Sequence, residues 1–134
     1  MKRNGVILRK FSLMEDEIAR LRALGDLSAQ QLDADHFLKH GIERALQVCV
    51  EATIDIAHRI LSLEGRPPAA TAFDAFAGLE ALGEIQSAAR YRKMIQFRNF
   101  VVHRYERIAT EMLLDILRNH LDDLTYFRRE ITGV

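Results

Sequence analysis

DHFLKHGIERALQVCVEATIDIAHRILSLE, residues 35–64, is the stretch that decides the fold. Apolar side chains recur at Leu38, Ile42, Ala45, Cys49, Ile56, Ile60 and Leu63, in steps of three, four and seven. Such steps put one continuous stripe on an α-helix, because 3.6 residues complete a turn. At 1.5 Å per residue the helix is roughly 43 Å long. Asp35 is placed to cap its start, and Gly65 followed by Pro67 and Pro68 is a strong stop. Gly41 inside it costs about 1 kcal/mol against alanine, which points to close backbone packing at that position.

Outward from this helix the same periodicity continues. Ile7, Phe11, Met14, Ile18, Leu21 and Leu24 mark a first helix over residues 6–26, ended by Gly25 and a polar stretch to Asp35. Beyond the two prolines, Thr71-Ala72-Phe73-Asp74 resembles a cap opening a short helix to about Leu82, which Gly83 breaks. A fourth helix is expected from about Glu84 into residues 98–105. A fifth is expected from near Thr110 to Ile131, with Leu113, Leu117, Leu121, Leu124 and Ile131 facing inward. Strand-like alternation and internal repeats are absent. The expectation is an all-α, up-and-down bundle of about five helices, a single domain over residues 1–134.

Charged residues make up 28% of the chain and apolar ones 49%, an ordinary globular balance. No apolar run reaches membrane-spanning length. Val6-Ile7-Leu8, between the N-terminal cations, is too short for the core of a signal peptide. The lone Cys49 excludes an internal disulfide and fits a reducing cytoplasm. Formal charge is zero, but residues 90–107 hold Arg90, Arg92, Lys93, Arg98, Arg104 and Arg107 against Glu106 alone. Such a segment either steers a phosphate-bearing ligand or is a set of solvated helix arginines; charge alone does not separate the two.

Within that segment lies Arg98-Asn99-Phe100-Val101-Val102-His103-Arg104-Tyr105. Arginine forks onto phosphate oxygens, and histidine exchanges a proton near neutrality. Together they suffice for metal-free RNA cleavage: the histidine assists attack by a ribose 2′-hydroxyl and the arginine stabilises charge at phosphorus. On an ideal helix Arg98 and Tyr105 lie about 20° apart, whereas His103 is about 140° from Arg98. Two arrangements reconcile this. The helix ends or distorts near the β-branched Val101-Val102 pair, or a second copy of the chain completes the site.

The Arg98-x4-His103-x-Tyr105 pattern, with Asn99 after the arginine, resembles the arginine–histidine motif of HEPN-domain ribonucleases, and more narrowly the HepT-like toxin family. The likeness extends through Ile42-Glu43-Arg44-Ala45-Leu46-Gln47 and residues 51–57, similar to the family's second helix. It continues through residues 65–82, with Phe73, Asp74, Phe76 and Leu79, and His120-Leu121-Asp122-Asp123-Leu124, similar to its final helix. The resemblance implies the toxin of a type VII-like toxin–antitoxin pair, a homodimeric, metal-independent endoribonuclease with no cofactor. Its partner would be a minimal nucleotidyltransferase (MNT) antitoxin that attaches AMP to the motif tyrosine. Arg98 and His103 would be catalytic, Asn99 and Tyr105 would support the site, and Tyr105 would accept AMP. Arg92, Lys93, Arg104 and Arg107 would bind the RNA substrate. AMP on Tyr105 would set an anionic phosphate on the face of Arg98, in competition with RNA. Two departures stand out. Ala109-Thr110 replaces an acidic residue common before the last helix, where Thr110 can act as the cap. Arg104 fills a position that is often acidic.

A different reading is a catalytically silent subunit that presents substrate or nucleotide to the nucleotidyltransferase, and a third is a helical dimer with a structural motif. The intact Arg–His–Tyr set favours the enzyme. Elsewhere, His36 and His40 have metal-pair spacing but no third ligand in place, and are expected on a solvated face. His58 and His120 are single helix histidines. Cys49 is expected to be a small buried hydrophobe. Tyr91, Phe97 and Phe100 could stack on bases, with core or dimer contact favoured for the two phenylalanines.

Overall fold

The computed structural model describes residues 5–103 and 109–133. All regular structure among them is helical: α1 (Gly5–Ala23), α2 (Ala29–Ala34), α3 (His36–Leu63), α4 (Ala72–Ala81), a 3-10 turn (Ala88–Tyr91), α5 (Arg92–His103), α6 (Thr110–Asn119) and α7 (Leu121–Thr132). The all-α bundle is as expected, with seven helices where about five were read.

The long helix α3 is its axis, packing against α1, α2, α4, α5 and α7. Asp35 caps it by accepting a hydrogen bond from the Leu38 N–H at 3.0 Å, and Gly65 turns the chain out at φ +72°. Ile42, Cys49, Ile56 and Ile60 are fully or almost fully buried, as are Ile7, Phe11, Met14, Ile18 and Leu21 on α1. Leu24 and Leu63, expected on those stripes, sit where the helices end and stay exposed. Phe76, Tyr91 and Phe127 form a mutual ring cluster with centroids 5.3–5.4 Å apart, which Phe11 joins at 5.9 Å. Each such pair contributes about 0.5–1.5 kcal/mol beyond the area it buries. Together they pin α1, α4, the 3-10 turn and α7 to one point.

Four differences from the sequence reading have local causes. The polar stretch after α1 contains α2, because Ser28 and Gln31 form a reciprocal capping box, with Ser28 Oγ and Gln31 Oε1 each accepting from the other's backbone N–H. The fourth helix starts at Arg92 and not near Glu84. There the Gln86 N–H donates to Glu130 at 2.7 Å and the Ala88 N–H to Glu80 at 2.7 Å, so the backbone is satisfied without a helix. The last helix breaks at His120 (φ −125°, ψ −1°), whose ring lies 2.9 Å from Asp123 and 3.6 Å from Asp115. Thr110 does not cap α6. Ala109 holds the cap position, and the Thr110 hydroxyl donates to Asp33 of α2.

Gly41 is not closely packed either: a Cβ there would meet nothing within 4 Å. The close approach is at Gly78 of α4, where a Cβ would come within 2.9 Å of Leu61 Cδ2.

Candidate active site

Helix α5 buries Met94, Ile95 and Phe97 against the core, which leaves Arg98 half-buried and Asn99 exposed at its rim. The entry to α5 is fixed by Tyr91, whose buried hydroxyl donates to Glu130. Burial, and then the Glu130 hydrogen bond, raise the Tyr91 pKa well above that of an ordinary phenol. Tyr91 is therefore a structural anchor and not a base-stacking surface. Phe97 is in the core, and Phe100 packs partly buried against it.

The Arg98 guanidinium is held at two points. Its Nε donates to Glu51 Oε1 of α3 at 2.8 Å, and one terminal nitrogen donates to Asn99 Oδ1 at 3.1 Å. The second terminal nitrogen has no partner among the described residues. Glu51 is the site residue that sequence reasoning missed. Its signal was its place on the polar face of α3, but the pairing spans 47 residues. Arg98 and Glu51 form part of the wall of an open groove of about 540 Å³ between α1 and α3.

Helix α5 runs unbroken through Val101 and Val102 to His103. The valine pair itself is therefore helical, and what directly follows His103 lies outside the described residues. The backbone of His103 stays about 140° around the axis from Arg98. The side chain of His103, and Arg104, Tyr105 and Arg107 entirely, lie outside the described residues.

The other basic residues are dispersed. Arg92 lies over the Phe73 ring at 5.4 Å, and Lys93 borders a small separate pocket with Met112 and Asp115. Arg90 pairs with Asp123 at 3.3 Å and covers the Tyr126 ring at 3.8 Å. Only Arg98 of the described basic cluster lines the α1–α3 groove.

Among the described residues no three His, Cys, Asp or Glu side chains are grouped to hold a metal, and the His36 and His40 rings stack at 4.1 Å. Cys49 is buried, and burial pushes its thiol up to about 12, with the Glu17 charge adding to the effect. No described helix is long and apolar enough to cross a membrane.

Fold and motif together define an HEPN-like helical bundle. Residues 14–131 match the family model "Ribonuclease HepT-like", and the chain belongs to that family. A relative, an mRNA nuclease HepT of Shewanella oneidensis, is 28% identical over 127 residues, covering 92% of this chain and 94% of its own. Among solved structures, a tri-AMPylated Shewanella oneidensis HEPN toxin in complex with MNT antitoxin superposes with TM-score 0.86 at 25% identity, covering 98% of this chain and 100% of that one. A toxin–antitoxin complex with AMP-PNP does so with TM-score 0.86 at 27% identity and the same coverage.

Proposed function

We propose that this chain, a single helical domain over residues 1–134, is the toxin of a toxin–antitoxin pair and a metal-independent endoribonuclease of the cytoplasm. The observation that carries the reading is Arg98, tethered by Glu51 and Asn99 at the wall of an open groove while keeping a terminal nitrogen unpaired among the described residues. A tethered guanidinium is pre-organised to meet a phosphate that becomes more negative in the transition state.

His103 takes the proton of the ribose 2′-hydroxyl as that oxygen bonds to phosphorus. The bond from phosphorus to the 5′-oxygen breaks, and that oxygen receives a proton from a histidine acting as acid. The products are a 2′,3′-cyclic phosphate and a 5′-hydroxyl. The backbone positions of Arg98 and His103 lie about 140° apart around one helix, which supports a cleft between two copies, each contributing to the other's site.

Tyr105 is the acceptor of AMP from a minimal nucleotidyltransferase; the seven-residue spacing from Arg98, about 20° on an ideal helix, would let the adenylyl phosphate displace RNA from the guanidinium. That solved relatives include an AMPylated toxin bound to such a partner supports this. Arg98→Ala and His103→Ala should each abolish growth inhibition and RNA cleavage while the helical circular dichroism is unchanged. Retained cleavage by either variant would sink the enzyme reading. Tyr105→Phe that is still silenced by the partner would sink the modification reading.

A further inference from the structure

The groove beside Arg98 carries more than the motif. On α3, Arg44, Glu51 and His58 are spaced by seven residues, which places successive members about 20° apart around the axis and about 10 Å apart along it. All three line the groove, and the middle one holds Arg98. The result is a row: a guanidinium, then the Glu51–Arg98 pair, then an imidazole.

The state of these side chains is unequal. Asp55, also in the groove, binds Lys10 at 2.8 Å and Arg59 at 3.0 Å. Burial pushes the Asp55 carboxyl up, but the hydrogen bonds from Lys10 and Arg59 outweigh it and hold the group below the usual range. Both carboxylates of the groove are therefore already matched by cations. Arg44, exposed, and His58, half-buried, have no hydrogen bond or ion pair among the described residues. Three cations, Lys10, Arg44 and Arg98, face two carboxylates, so the groove keeps a net positive charge. Gln47 and four apolar residues complete its lining; of these Leu13, 60% exposed on the α1 side, suits the face of an unpaired base.

We propose that the α1–α3 groove is a track for single-stranded RNA, in which Arg44 and His58 contact the strand on either side of the phosphate held by Arg98. This rests on the ribonuclease reading above. It adds two substrate-contacting residues that lie outside the motif, on a different helix. The roughly 21 Å from Arg44 to His58 is long enough to lie beside several successive phosphates. The proposed occupant is an unpaired strand, whose exposed bases can lie against Leu13.

The test is fluorescence anisotropy with a single-stranded RNA of about 12 nucleotides, 2′-O-methylated so that it binds without being cleaved. Arg44→Gln and His58→Ala should each weaken binding about 3- to 10-fold at ~0.1 M salt. Arg44→Gln should also lower the slope of log affinity against log salt by about 0.7, and Arg44→Lys should restore that slope. Arg129→Gln, on α7 and outside the groove, serves as the control and should match wild type. Wild type that binds while Arg44→Gln and His58→Ala bind equally well overturns the track and leaves the enzyme standing. Wild type that binds no RNA overturns both. If Arg44→Gln blocks AMP transfer by a co-expressed nucleotidyltransferase but spares RNA binding, the groove docks protein, and the track is overturned.

Discussion

Removing Glu51 should slow the reaction far more than it destabilises the protein. The Glu51–Arg98 pair is close, 2.8 Å, but half in water, with side chains 45% and 26% exposed. Pairs in that setting contribute about 0.5–1 kcal/mol, so Glu51→Ala should lower the melting temperature by roughly 2–4 °C. The kinetic effect is larger, because Arg98 has two tethers among the described residues and this is the charged one. A guanidinium that drifts by about 1 Å from the reacting phosphate costs up to roughly 100-fold in rate. The expectation is a 10- to 100-fold fall in kcat with KM changed less than about 3-fold, since an interaction that matters in the transition state shows mainly in kcat. Glu51→Gln keeps an acceptor oxygen for the Nε–H and should recover most of the rate. The assay is steady-state and single-turnover cleavage of a fluorogenic single-stranded RNA, with thermal melting alongside. A Glu51→Ala protein with wild-type kcat would refute the positioning role. So would a lower KM at unchanged kcat, the signature of a carboxylate that merely competes with substrate for Arg98.

Two further outcomes follow from packing and ionisation. Gly41→Ala should raise stability by about 0.5–1 kcal/mol in thermal melts, because alanine favours the helix and its Cβ meets nothing within 4 Å. Gly78→Ala should gain nothing or lose, its Cβ falling 2.9 Å from Leu61 Cδ2. The buried Cys49 thiol has its pKa raised from 9.0 to about 12, so the folded protein holds the proton after the unfolded chain has released it. Its contribution is full below about pH 9 and is lost as pH rises towards 12. Urea unfolding from pH 8 to 10.5 should show wild type losing stability faster than Cys49→Ala; equal slopes would contradict this.

What could be read from the sequence was whatever depended on neighbours in the chain. The α3 stripe, its Asp35 cap and its Gly65 exit are local, and all three are present in the structure. The Ser28–Gln31 capping box was equally local and simply overlooked among polar residues. The late start of α5 and the break at His120 were illegible for a different reason. The delayed start depends on Glu130, 44 residues from Gln86; the break at His120 rests on side-chain pairing with Asp115 and Asp123 that apolar periodicity does not show, and neither spot has a proline or glycine. The same holds at the site. The Arg–His–Tyr motif announces itself in eight residues, but Glu51 becomes its neighbour only once α3 and α5 pack.

Glu130 lies on α7, yet its carboxylate receives both the Gln86 N–H and the Tyr91 hydroxyl at the mouth of α5. The helix that carries Arg98 is thus moored to a carboxylate 39 residues on from Tyr91. A substitution that removed the Glu130 carboxylate would leave the motif intact in sequence and loosen the entry of its helix. Under the proposed toxin reading, α7 is a second handle on potency, remote in sequence from the motif.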